Sequence, residues 1–230
     1  MATIGEAIKY PWSGGGRYFY FFVWLIPIVG FIAYAGYLLR VIQSLLKGEE
    51  KVPSWGSWGE NLLNGLKVIL VGFVWGMVMQ IGTMILGVIP VIGVLLTVVF
   101  AVLAGLVIVV LMMQMAKDYD LGAGFKVDTA VRFVLSNVGG LLVALLKGFV
   151  VSIVYMIVPM IVFMIGAGSV AFQIVKSIAS GVAINYLAIL GSVGTGIGLI
   201  VLAIVLTMLV QHATKLGGYK LYVDVYKGKK

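Results

Sequence analysis

His212 is the single histidine in a chain of 230 residues that has no cysteine, and these two counts set the limits on its chemistry. One histidine supports neither a two-histidine metal site within one chain nor, without a convergent serine and acid, a hydrolytic triad. The missing cysteines exclude disulfides, thiolate metal centres and thiol nucleophiles. His212 stands beside Lys215 at the end of the last apolar run, where an interface residue at a helix C-terminus is expected. The eight acids all fall in polar segments between apolar runs. Proton-coupled carriers place a carboxylate inside the bilayer, so this distribution weighs against a proton antiporter. Lys117-Asp118-Tyr119-Asp120 has residue types that could hold a cation, but its ligands are few and flexible, and local ion pairing at a solvated helix end is the better reading. Gly194-Thr195-Gly196-Ile197-Gly198 has glycine spacing found at nucleotide sites, yet it lies inside an apolar run with no strand before it. The expectation is a protein that is not an enzyme, with no catalytic set, metal or cofactor.

A few polar residues inside or beside the apolar runs could still carry function. Lys147 sits about one turn into a long apolar arm, beyond Gly139-Gly140; it either faces a polar cavity or snorkels to the headgroups, and snorkelling is favoured. Lys176 stands apart with Gln173 and Asn185. These four residues are the candidates for a polar pathway or for lipid headgroup contacts. Trp12, Trp55 and Trp58 fall near segment ends and are expected to anchor the chain at the interface. Gly72 and Gly76, like Gly194 and Gly198, are four residues apart, a spacing that lets helices approach closely within or between chains.

The elements that must position these residues are apolar. Apolar residues make up 62% of the chain, charged residues 10%, and the mean hydropathy is +1.17. Soluble domains are about half apolar and about a quarter charged. Residues 68–87, 91–116 and 138–165 each exceed the roughly 18 apolar residues that mark a membrane span, and 166–210 is far longer. No cleaved signal peptide is expected. The reading is an all-α, polytopic transmembrane bundle of about five to six spans, a single membrane domain over 1–230 with a basic tail at 214–230.

Ile26-Pro27-Ile28-Val29-Gly30 and Ile89-Pro90-Val91-Ile92-Gly93 are near-copies, and each predicts a tight turn between two arms. Pro159 and the glycines of 166–168 predict a third. Short amphipathic stretches at 4–10, 58–67 and 127–134 precede the arms, each with an acid a few residues before a base, and are expected to lie in the interface. Together these suggest helical-hairpin repeats over 1–48, 55–117 and 126–213. With both termini cytoplasmic, 15 of the 16 bases fall inside and only Lys176 does not, which satisfies the positive-inside rule and places the protein in the cell membrane.

Two stretches are ambiguous. The arm before Pro27 is about 10 residues, roughly 15 Å as helix against a hydrocarbon core of about 30 Å. It either extends back through Trp12, or is re-entrant, or belongs to one kinked span over 18–46. In 166–210 the first half reads as an outer-face or re-entrant helix, and 191–198 as a break before a last span over 199–211.

Residues 36–67 are the most distinctive. Gly36-Tyr37 leads into the basic helix end at Arg40, followed by Gly48-Glu49-Glu50, then Pro53, Trp55 and Trp58-Gly59, then Gly65-Leu66-Lys67. With the opening Gly5-Glu6-Ala7-Ile8-Lys9-Tyr10-Pro11, this resembles the archaeal membrane proteins of domain-of-unknown-function family 4013. The resemblance implies a polytopic membrane protein and brings no activity with it. On function, two readings stay open: a structural, assembly or membrane-shaping role through oligomerisation, towards which the residues lean, and a transporter, channel or lipid translocator. The expected partners are lipids with anionic headgroups on the cytoplasmic side and further copies of the chain, not nucleic acid; the +8 net charge is accounted for by the membrane surface.

Overall fold

The computed structural model describes residues 1–89, 92–179 and 186–228. Of the features singled out above, Pro90, Asn185 and the last two lysines lie outside the described residues.

The chain starts with α1 (Ile4–Lys9), nucleated by a capping box. The Thr3 hydroxyl accepts from the Glu6 amide at 3.2 Å, and the Glu6 carboxylate accepts from the Thr3 amide at 2.7 Å, so two otherwise orphaned donors are satisfied. A 3-10 segment, Tyr10–Leu25, follows, interrupted at Gly15 where φ is 61°. The chain then reverses at Pro27. The reversal is tight because Gly30 sits against the carbonyl of Val23, where any side chain would collide. α2 (Val29–Lys47) ends at Gly48, whose left-handed φ of 88° lets its amide reach the carbonyl of Leu45 at 3.0 Å. Residues 18–46 are therefore a hairpin, and its first arm is not among the helices long and apolar enough to cross a membrane.

α3 (Trp58–Gly87) begins at Ser57, whose hydroxyl caps the Glu60 amide, and α4 (Ile92–Asp118) returns the chain. The amphipathic stretch 58–67 is the first part of α3 itself, without a break. After a single 3-10 turn, Gly122–Phe125, α5 (Val127–Ala179) runs for 53 residues and departs from helical geometry at Asn137. That departure separates the amphipathic stretch 127–134 from the apolar arm.

The helices run further than the sequence punctuation suggests. No turn forms at 158–168: α5 stays helical through Pro159 and the glycines beyond it. In apolar surroundings the backbone must bond to itself, so one missing N–H costs less than opening a loop. Nor does the chain break at 191–198, because α6 (Tyr186–Lys227) passes through it. Residues 214–227 of the basic tail are the last turns of α6, and His212 is a buried mid-helix residue rather than a helix end.

Among the described residues five helices are long and apolar enough to span a bilayer: Val29–Lys47, Trp58–Gly87, Ile92–Asp118, Val127–Lys176 and Gly194–Lys227. The chain is an all-α, multi-pass membrane protein. It divides into a larger unit, Met1–Gly148 with Lys215–Lys230, and a smaller one, Phe149–Thr214.

In the larger unit the core gathers at one end of the helices. Tyr37, Leu39 and Val41 of α2, Leu106 to Ala116 of α4, Ala130 to Leu141 of α5 and Leu221 of α6 supply the buried side chains. The opposite ends of α3 and α4 stay open, with Phe73, Met84 and Leu95 each about two-thirds exposed, as lipid-facing residues are. α2 and α3 cross with their backbones nearly in contact: a Cβ on Gly36 would collide with the Asn61 carbonyl oxygen, and one on Gly65 with that of Ile32. In the smaller unit, Gly166 of α5 and Gly196 of α6 make a similar approach; a Cβ on Gly166 would come within 2.9 Å of the Leu199 Cβ.

Candidate functional site

The polar chemistry of the larger unit collects where α2 ends, α3 begins and α4 ends. Up-and-down connectivity puts these three termini on one side of the membrane, and hydrogen bonds tie them. Gln43 Nε2 donates to the Lys117 carbonyl at 3.3 Å, and Lys67 Nζ donates to the Tyr119 carbonyl at 2.8 Å. Met1 and the last turns of α6 join them. The N-terminal ammonium lies 4.0 Å from Asp224, and Lys227 Nζ donates to the Leu45 carbonyl at 3.4 Å.

The loop over residues 48–57 is stapled down across this end. Arg17 Nη1 donates to the Val52 carbonyl at 2.6 Å, and the Val52 amide donates to Ser13 Oγ at 3.1 Å. Tyr37 Oη donates to the Pro53 carbonyl at 3.2 Å, and the wholly buried Asn61 donates from Nδ2 to the Trp55 carbonyl at 2.6 Å. Gly56 (φ 77°) lies directly on the Arg40 guanidinium, so a side chain there would meet it. Trp55 stacks on Tyr37 at 5.1 Å and packs against Trp58 at 5.3 Å, with Tyr20 edge-on to both Tyr37 and Trp55.

Between this loop, α2 and α3 lies a cavity of about 680 Å³ lined mainly by polar side chains. Arg17, Arg40 and Lys47 supply positive charge; Glu49 and Glu60 supply negative charge. Glu60 pairs with Arg40 Nη2 at 2.5 Å, and Glu49 accepts from the buried Ser44 hydroxyl at 2.5 Å. Lys47 donates to the Gln43 side chain at 3.2 Å. Tyr119 closes one wall from a left-handed backbone (φ 54°), and partial burial pushes its phenol above its ordinary pKa. Burial likewise raises the Tyr10 phenol, with a smaller contribution from Glu49. A second cavity of about 440 Å³ shares Gln43 and Lys47 and adds Lys117, Asp118 and Lys227. Among the described residues no three histidines or acids gather as a metal ion would require. Asp120 is used locally, accepting from the Gly122 amide at 3.0 Å.

The residues singled out from sequence are placed elsewhere. Lys147 donates to the Ala2 carbonyl at 3.0 Å and lines neither polar cavity. Gln173 and Lys176 stand three residues apart on α5 in the smaller unit, Lys176 exposed. Trp12 and Trp58 are exposed, as anchors would be, whereas Trp55 is held inside the aromatic group described above. Around Gly72, Gly76, Gly194 and Gly198 a Cβ would meet nothing within 4 Å; the close helix crossings within the chain use Gly36, Gly65, Gly166 and Gly196 instead.

Sequence reasoning counted Arg17, Arg40 and Lys47 as bases without seeing that they share a cavity. A signal was present: Arg40, Gln43, Ser44 and Lys47 recur at helical spacing, and so do Glu60 and Asn64, each set a polar stripe on an otherwise apolar helix.

A family model described as "Protein of unknown function (DUF4013)" matches residues 19–151, more than half of the chain. The matched segment holds α2, α3, α4 and every residue of the larger cavity except Arg17. No curated protein and no solved structure matches the chain.

Proposed function

The chain belongs to the DUF4013 family, and from the placement of its charges we propose a structural role: a membrane-embedded assembly or membrane-shaping protein that acts as an oligomer. On this reading both termini are cytoplasmic, and the partners are anionic lipid headgroups and further copies of the chain. The protein is not an enzyme. One observation carries the reading. The larger unit holds all eight acids and every base except Lys176, and its polar network is spent on stapling a surface loop. The apolar runs of α3 and α4 beyond that end carry no charge. A transporter needs polar groups along a path through the bilayer, and Lys147, a candidate for such a path, is engaged with the N-terminus instead.

Reconstitution of the full chain in liposomes tests this. The role requires species larger than the 24.6 kDa monomer and a measurable change in vesicle shape, without flux of ions, small solutes or lipids. Monomeric protein that leaves vesicles unchanged contradicts it. So does flux that is lost in Lys147→Ala or Lys176→Ala, which would point to the transport alternative.

A further inference from the structure

We propose that the 680 Å³ cavity beside α2 binds an anionic phosphoryl group, with Arg17 and Lys47 as its cations. Of its two carboxylates, Glu60 is ion-paired with Arg40, and Glu49 accepts from the Ser44 hydroxyl and keeps its charge. Arg17 and Lys47, by contrast, form no ion pair among the described residues: one bonds a backbone carbonyl and the other a neutral amide. Two cations that enter one cavity from different elements, against the single carboxylate of Glu49 left unneutralised, keep it net positive and suit a ligand with several anionic oxygens. A guanidinium fork and an ammonium match the tetrahedral array of a phosphoryl group.

The surroundings strengthen the charge argument. The adjoining cavity shares Lys47 and adds Lys117 and Lys227 against one acid, Asp118. Together the two cavities present five cations, Arg17, Arg40, Lys47, Lys117 and Lys227, to three carboxylates. The size falls within the roughly 300–1,000 Å³ of ligand pockets, enough for a phosphoryl group and what it is attached to. The cavity lies at the charged ends of spanning helices, where a helix leaves the apolar core for the headgroups, so a lipid headgroup and a soluble phosphate are both possible sources. For the lipid source alone, the inference rests on the headgroup partnership proposed above.

The test uses the purified full chain in detergent, with phosphatidylglycerol, phosphatidylcholine and inorganic phosphate as probes. Lipid binding is read by native mass spectrometry and phosphate binding by calorimetry. Phosphatidylglycerol should outbind phosphatidylcholine, and Lys47→Gln should weaken it about fivefold, the effect of losing one partly exposed charged contact. Lys51→Gln, an exposed lysine lining neither cavity, should change nothing. Arg17→Gln should weaken binding as Lys47→Gln does; because Arg17 also holds the loop, Lys47→Gln decides if that variant fails to fold. Inorganic phosphate that competes with the lipid and is itself weakened by Lys47→Gln supports a site open to soluble phosphates. Binding of the lipid alone, weakened by Lys47→Gln, supports a headgroup site. Equal binding of the two lipids with no inorganic phosphate binding that Lys47→Gln weakens, or equal effects of Lys47→Gln and Lys51→Gln, overturns the proposal. Oligomer size and vesicle shape are separate readouts, so the site and the structural role can fail independently.

Discussion

Asn61 shows what a single polar residue contributes in this fold. It is wholly buried at the crossing of α2 and α3, and its amide is the inner fastening of the loop over residues 48–57. Asn61→Ala strands the Trp55 carbonyl and should cost about 1–3 kcal/mol, the range for leaving a buried acceptor unsatisfied. Chemical unfolding followed by tryptophan fluorescence measures it; an unchanged midpoint would show that the loop is held without Asn61. Glu6 sets a pH dependence at the other end of the chain. Hydrogen bonds from Thr3, backbone first, hold its carboxyl below the ordinary value of 4.5. A depressed folded-state pKa stabilises α1 above the ordinary glutamate range, and that contribution disappears as the pH falls through the folded value. The protection of amides over residues 3–7, taken against the intrinsic exchange rate at each pH, should therefore fall as the pH drops below 4.5 through the folded value, and Thr3→Ala should remove that loss. A Glu6 carboxyl titrating at or above 4.5 contradicts this.

At the scale of elements, the α2–α3 crossing depends on the absence of side chains. Gly36→Ala drives a methyl group into the Asn61 carbonyl, backbone that cannot step aside, and should destabilise by about 1–3 kcal/mol as overpacking does. Gly59→Ala, with open space around it, should be neutral or stabilise by up to about 1 kcal/mol. Equal melting temperatures for the two variants would mean that the helices do not meet as described. The same scale explains what the sequence made legible. α3 and α4 could be read because their uncharged runs are bounded by Lys67 and Lys117. The turn at Pro27 could be read because a glycine follows within three residues, where the returning helix needs one. Pro159 has no such neighbour and is absorbed into α5, and the glycines of 191–198 are absorbed into α6. Punctuation learned from water-exposed loops misleads in apolar helices, whose backbone has no solvent to open towards. The cavity stayed hidden for a different reason. Arg17, Lys47, Glu60 and Tyr119 are far apart in the chain, and only the fold of the loop brings them together.

For the whole molecule, the central claim is an asymmetry: Met1, the last turns of α6, the loop over 48–57 and the segment joining α4 to α5 lie at one end of the larger unit, with the exposed apolar tips of α3 and α4 at the other. On the proposed topology, the side with the charged loops faces the cytoplasm, as the positive-inside rule would have it. The chain contains no cysteine, so single cysteines can be introduced without a background signal. Lys51→Cys, Lys126→Cys and Gly228→Cys fall at the charged end, and Val88→Cys, at a residue 80% exposed, falls at the opposite tip. Labelling of oriented membrane vesicles with an impermeant thiol reagent measures the arrangement directly. The first three cysteines should react from one side and Val88→Cys from the other. Reaction of Gly228→Cys from the side opposite to Lys51→Cys, or of Val88→Cys from the same side as Lys51→Cys, would contradict the account.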